Sequence, residues 1–286
     1  MIDSIIRGPY FVIIVFAVVI ALLFLIRHYL KNAGIRPTKS NVIIGHAQIL
    51  GKRKEQEDYY STASTPNGIV AVLADGMGGF TNGKMASSTA VNTFIGEFSR
   101  AKNIHPVDRF MIDTANICNA RVIEKGKGEN VGTTLVVVII SGGYLYWASV
   151  GDSALVLFRN GEFINLNKKH IFESVLEERY ISGKISKEEL VSNSLKKRLT
   201  SYIGQSGLRD IEISEKNMEL KKGDKVILCS DGVYNTLSEI EMERILSKKI
   251  TPNDACYEIM ELIKRKNSRK QDNASIIILE KSARLF

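Results

Sequence analysis

Cysteine is scarce in this chain: three residues in 286, namely Cys118, Cys229 and Cys256. No two stand at a metal-binding or redox spacing. An odd, sparse set excludes a disulfide framework and points to a reducing compartment. Cys229 lies inside an apolar strand pattern, where a free thiol serves packing. Aromatic residues do not interleave the basic clusters, and no nucleic-acid reader motif is present. The net charge of +8 is therefore not read as a nucleic-acid footprint. Internal repeats and low-complexity tracts are also lacking. With 44% hydrophobic and 24% charged residues, the composition is that of a globular protein.

The positive charge is clustered. Arg27, Lys31, Arg36 and Lys39 follow an apolar run, and Lys264 to Lys270 ends a C-terminal helical pattern. Gly8 to Ile26 carries no charge, and its length of roughly 28 Å as a helix approaches a bilayer core of about 30 Å. A signal-peptide h-region is shorter, and no small-x-small cleavage site follows. The reading is a short extracytoplasmic stretch (1–8), a transmembrane helix (9–26), a basic juxtamembrane linker (27–40) and one large domain (41–286). Basic residues after the span put that domain in the cytoplasm, as a single-pass protein of the cell membrane. The basic linker would also touch anionic lipid.

Within the large domain, residues 42–50, 69–74, 134–140, 144–150, 154–158, 225–229 and 275–280 read as strands. Residues 84–99, 106–125, 238–247 and 253–266 read as helices. Strands 134–140, 144–150 and 154–158 suggest a meander turning at Ser141-Gly142-Gly143 and at Gly151. Residues 170–200 are helical and charged, with few apolar runs. Consecutive strands with helices set apart in sequence predict an α+β fold of antiparallel sheets, not a doubly wound parallel sheet.

Five motifs place acidic residues at the edges of apolar runs. They are Arg53-Lys-Glu-Gln-Glu57-Asp58, Asp75-Gly-Met-Gly-Gly79, Gly151-Asp152-Ser153, Ser230-Asp231-Gly232 and Asp272-Asn273. A strand that stops at an Asp-Gly turn holds its carboxylate at the rim of a sheet. Several carboxylates on one rim repel unless cations stand between them. Carboxylates with backbone carbonyls and water suit Mg²⁺ or Mn²⁺. Singly, each motif is an ordinary turn; jointly they carry the metal reading.

In order and spacing, from about Val42 to the C-terminus, this set resembles the metal-dependent protein serine/threonine phosphatases of type 2C. Gly132-Thr133-Thr134 stands in its expected place. The resemblance implies a central sandwich of two antiparallel sheets flanked by helices, with Mn²⁺ or Mg²⁺ (two ions, possibly a third) in a cleft at one end. By resemblance, Asp75 bridges two metals, with the Gly76 carbonyl on one of them. Asp231 and Asp272 are terminal ligands. Glu57 and Asp58 hold waters or the second metal, family members differing in which one touches it. Asp152 with Asp231 holds the third ion. Arg53 grips the substrate phosphate, and Gly132, Thr133, Thr134 and Asn273 support the ligands. The implied catalytic set is Arg53, Asp75 and Asp231, acting on phosphoproteins near the membrane, with a monomeric catalytic domain. Residues 170–200 correspond to a flap; a solvated helical surface is the equal alternative. Lys184, Lys187, Lys196, Lys197 and Arg198 would steer acidic substrates.

Three positions depart from the family pattern. Met77 stands where many eukaryotic members carry His, a candidate general acid, and bacterial members often share Met there. Gln56 replaces the usual Asn, and Ala154 the usual Arg. A cysteine-based phosphatase is excluded, because no Arg lies six residues after any cysteine. A nucleotide-binding loop at Gly78 to Lys84 fails at Met85, where a hydroxyl must bind Mg²⁺. The remaining alternative is a catalytically inactive phosphatase-like module that binds or regulates a partner.

Overall fold

The computed structural model describes residues 16, 18–22, 24–25, 41–78, 81–127, 129, 131–208 and 210–282. Two compact units are distinguished, Met1–Lys39 and Ser40–Phe286. In the first, the described residues are helical, and Phe16, Val18, Val19, Ile20, Leu22, Phe24 and Leu25 are 48–66% exposed. Among the described residues no helix is long and apolar enough to cross a membrane. The rest of the expected span, and the linker at 27–40, lie outside the described residues.

In the second unit the strands are β1 (Val42–Ile49), β2 (Asp58–Thr65), β3 (Gly68–Met77), β4 (Gly132–Thr133), β5 (Leu135–Ser141), β6 (Tyr144–Val150), β7 (Ala154–Arg159), β8 (Glu162–Asn165), β9 (Glu212–Ile213), β10 (Met218–Glu219), β11 (Lys225–Cys229) and β12 (Ala274–Lys281). The helices are α1 (Thr81–Arg100), α2 (Val107–Gly126), α3 (Phe172–Ile181), α4 (Lys187–Ser192), α5 (Asp231–Tyr234), α6 (Glu239–Leu246) and α7 (Pro252–Lys266). One sheet runs β1-β12-β11-β7-β8. The other runs β10-β6-β5-β3-β2, with β4 on β3 and β9 on β6. Every pairing is antiparallel.

The alternation along β3 explains the layers. Ile69, Ala71 and Leu73 point between the sheets, where they meet Leu155, Leu157, Val226, Leu228, Ile277 and Leu279 of the other sheet. Val70, Val72 and Ala74 point the opposite way. They pack on Ala86, Ala90 and Phe94 of α1 and on Met111, Ala115 and Cys118 of α2. The first sheet is covered likewise by α6 and α7, through Met242, Ile245, Ala255, Cys256, Ile259 and Ile263. Both faces of the central strands are dry, which is why they read as unbroken apolar runs. Ser238 and Thr251 cap the two covering helices, with Glu241 completing a capping box and Pro252 opening α7. All three cysteines are free and buried.

The expected meander is only half realised. β5 and β6 form the hairpin through Gly142-Gly143, but β7 leaves for the opposite sheet, where it pairs with β11 and β8. The Gly151 motif is thus a crossing between sheets. Gly151 makes the turn at φ 99°, close against Thr134. Strand β2, which the sequence does not mark, is mostly half-buried.

Candidate metal centre

Strand register gathers the acidic motifs at one end of the sandwich. Asp58, first residue of β2, lies directly opposite Asp75 near the end of β3. In the other sheet Ala154, Cys229 and Ile276 stand side by side across β7, β11 and β12. Asp152 therefore precedes β7, Asp231 follows β11 and Asp272 precedes β12, all on the same rim.

Each carboxylate is held by neighbours the fold brings to it. The Asp75 amide donates to Thr134 Oγ1 (2.8 Å), and the Thr133 hydroxyl donates to the Asp75 carbonyl (2.9 Å). Thr134 Oγ1 also lies 2.7 Å from Ser153 Oγ, tying the Asp75 strand to the Asp152 turn. Asp58 is 2% exposed, and its Oδ2 accepts from the Ser230 hydroxyl at 2.7 Å. Asp231 opens α5, and its Oδ2 accepts from Asn235 (3.2 Å). Asp272 Oδ2 takes the Arg53 guanidinium at 2.5 Å. At Asp152 the Tyr234 hydroxyl donates to the carbonyl (3.2 Å) and reaches Oδ2 (3.4 Å).

Asn273 is the knot of the Arg53–Asp58 segment. Its side chain donates to the carbonyls of Leu50 (2.8 Å) and Glu55 (3.1 Å) and accepts from the Glu57 amide (2.8 Å). Gln56 adds a bond to the Ile49 carbonyl at 3.2 Å, so the departure from Asn keeps a polar support. Asn273→Ala is expected to cost about 2–3 kcal/mol, because it removes three part-buried hydrogen bonds to the backbone of this segment at once. Urea unfolding measures it; an unchanged midpoint would show that the segment holds itself. Gly76 is a close approach of a different kind. A Cβ there would lie 2.1 Å from the Gly83 carbonyl oxygen and 2.8 Å from that of Glu57. Only glycine lets the end of β3 pass between the acidic segment and α1.

The electrostatics are those of a crowded anionic basin. Burial, with repulsion from the neighbouring carboxylates, pushes Asp231 up to about 6 and Asp75 well above its ordinary range. Burial likewise brings Asp58 up to about 6, against the pull of its hydroxyl partners. Burial also raises Glu57 and Asp152. Among the described residues no three His, Cys, Asp or Glu side chains converge on a single point; what converges is charge. Two buried carboxylate oxygens, Glu57 Oε1 and Asp58 Oδ1, have no hydrogen-bond partner. A buried carboxylate oxygen without a partner is costly unless a cation faces it. Unpartnered carboxylate oxygens beside mutually repelling neighbours fit a hard divalent cation.

Beside this basin a cavity of about 700 Å³ opens between the end of β3 and the 170–200 segment, lined by Met77, Gly78, Tyr202, Lys197 and Arg198 among others. The ends of that segment are tied by an Ile171–Leu199 bridge. Its helices α3 and α4 contribute a single buried side chain, Leu176.

Residues 49–260 match the description protein phosphatase 2C. The chain belongs to the protein phosphatase 2C family. It is 30% identical to the protein phosphatase PhpP of Streptococcus pneumoniae over 206 residues, 70% of this chain and 81% of that one. It is 28% identical to the serine/threonine phosphatase stp of Listeria monocytogenes over 222 residues, 75% and 85% of the two chains. Among solved structures, the S. agalactiae serine/threonine phosphatase superposes with a TM-score of 0.74 at 25% identity, over 84% of this chain and 99% of that one. The catalytic domain of PstP, solved with 2 manganese ions, shares the fold at a TM-score of 0.67 and 21% identity, over 84% and 98%.

In this type 2C phosphatase chain the aspartates of the five motifs, Asp58, Asp75, Asp152, Asp231 and Asp272, lie on the one rim. Sequence reasoning missed three contributors. Ser230 supports Asp58, and Tyr234 reaches Asp152. Lys169 lies over the Tyr234 ring, 3.3 Å from its centroid. Ser230 stands in the Ser230-Asp231-Gly232 motif, where no role is read for it, and Tyr234 stands one helical turn after Asp231. Lys169 comes from a distant loop that no spacing connects to the site.

Proposed function

We propose that this chain is a metal-dependent protein serine/threonine phosphatase that hydrolyses phosphoserine and phosphothreonine with an activated water and no covalent intermediate. The observation that carries the reading is the crowding of carboxylates on one rim beside Arg53, with Glu57 Oε1 and Asp58 Oδ1 buried and unpartnered. Asp75 with the Gly76 carbonyl, Asp231 and Asp272 would hold Mn²⁺ or Mg²⁺, with Glu57 and Asp58 beside them. A bound pair of such ions supplies Lewis acidity and a water of lowered pKa at neutral pH. The chain's own groups do the rest. Thr133 and Thr134 fix the Asp75 backbone, and Asn273 fixes the acidic segment. Arg53, its side chain about half exposed, can turn its free guanidinium edge to two phosphate oxygens at once. Burial pushes the thiols of Cys118, Cys229 and Cys256 up to about 12, so none offers a thiolate nucleophile. Met77 cannot donate a proton to the leaving oxygen.

Hydrolysis of a phosphothreonine peptide tests the reading. Wild-type protein should release phosphate with Mn²⁺ and stop with EDTA. Arg53→Ala should raise KM by about tenfold or more, with metal binding retained. Turnover unaffected by EDTA, or an unchanged KM in Arg53→Ala, would count against the assignment.

The location proposed for this domain is the cytoplasmic face of the cell membrane, as a monomeric unit behind a single-pass anchor. The uncharged run from Gly8 to Ile26 and the basic residues after it support this. A cytoplasm-only reporter fused after Phe286 should be active, and the protein should stay in membranes through a carbonate wash. A processed N-terminus would contradict it.

A further inference from the structure

Asp152 is the carboxylate that the family resemblance reserves, with Asp231, for a third ion. In this chain its surroundings differ from those of the other acids. Asp58 and Asp272 are met by Ser230 and Arg53. Asp152 is met by Tyr234, whose hydroxyl donates to its carbonyl at 3.2 Å and lies 3.4 Å from Oδ2. The same aromatic ring carries the Lys169 ammonium on its face, 3.3 Å from the centroid. Among charged groups, Asp152 is the strongest attraction that Lys169 feels, and Lys169 the strongest that Asp152 feels. Asp231 also attracts Lys169. Lysine is ordinarily a flexible surface residue; a cation seated on an aromatic face is held in place.

We propose that Lys169 and Tyr234 are a positioning pair that gives Asp152 a fixed protein countercharge, so that this chain binds two divalent ions and excludes a third at Asp152. The proposal rests on the metal-dependent reading above. Tyr234 ends the helix that Asp231 begins, and its hydroxyl reaches Asp152 on the crossing between β6 and β7, so one short helix links the two acids and seats the ammonium on its ring. An ammonium seated on the ring whose hydroxyl reaches Asp152 repels an incoming divalent cation and neutralises half of the charge the pair of acids would offer it. In a partly buried site that repulsion lowers affinity by about tenfold or more. Tyr234 serves both partners, as platform for the ammonium and as hydrogen-bond donor to the Asp152 turn.

Calorimetric titration of the full chain in detergent with Mn²⁺ tests this. Wild-type protein should bind two ions. Lys169→Met, which keeps the stem and removes the charge, should gain a third site at least about tenfold tighter than any third binding in the wild type. Lys169→Arg should restore the wild-type stoichiometry, which a purely structural role for the stem would not require. Adding Asp152→Asn to Lys169→Met should abolish the third site, and near-ultraviolet circular dichroism checks that each variant is folded. A third ion bound equally well by wild type, or no gain in Lys169→Met, overturns the proposal while leaving the phosphatase reading intact. Absence of any Mn²⁺ binding in the wild type overturns both.

Discussion

Asp75→Asn is expected to lower turnover by about a thousandfold or more while leaving the fold in place. The residue lies near the end of β3 with its backbone held by Thr133 and Thr134, and neither bond uses the carboxylate. Asparagine keeps the shape and removes the charge. It also removes the acid that lies within the field of Asp58, Asp152, Asp231 and Asp272 at once. Loss of that charge should weaken cation binding at the whole rim, not at one ligand. Asp231→Asn should follow it closely. Calorimetry should show Mn²⁺ binding weakened in both, and circular dichroism an unchanged fold. Wild-type Mn²⁺ affinity in Asp75→Asn would contradict a bridging role.

The metal-free protein should lose stability as the pH rises. The folded-state pKa values of Asp58 and Asp231 lie at about 6 and that of Asp75 well above its ordinary range, against an unfolded value near 3.9. The native state therefore binds more protons than the unfolded chain between those limits, and the slope of stability against pH is negative there. These acids favour the fold fully below about pH 4, and that contribution is lost as they ionise through pH 6 and above. The sum is of order a few kcal/mol, or several degrees in Tm. Divalent cation at pH 7.5 should reverse the loss, since each site saturated at a hundred times its Kd adds about 2.7 kcal/mol. A thermal scan of EDTA-treated protein should give a higher Tm at pH 5 than at pH 7.5, with Mn²⁺ closing the gap. A metal-free Tm that rises with pH would show that the rim carboxylates are not crowded.

Strand ends and helices were largely legible because their signals are local. The expected bounds of Tyr144–Val150 and Lys225–Cys229 match the strands, and the helix expected over 253–266 begins one residue earlier, at Pro252. Strand β2 was missed because Asp58–Thr65 is mostly small and polar and only half-buried, and neither period stands out. The destination of β7 was unreadable for the opposite reason. With both faces of the central strands buried, alternation does not mark which face meets which layer, so nothing local shows that the chain changes sheets at Gly151. The acidic motifs could be found because Asp-Gly at the end of an apolar run fixes where a carboxylate points. Lys169 could not, since its contact with Tyr234 exists only once a loop and a helix are brought together from 65 positions apart.

Hydrolysis of p-nitrophenyl phosphate by the EDTA-stripped wild-type chain, titrated with Mn²⁺ beside Asp75→Asn, tests the central claim most directly. The acidic rim predicts no turnover without metal, saturable recovery with Mn²⁺ in the wild type, and no recovery in the variant. Metal-independent turnover, or equal turnover by both proteins, would contradict it; a wild-type chain that binds Mn²⁺ yet never turns over would make this domain a regulatory module instead.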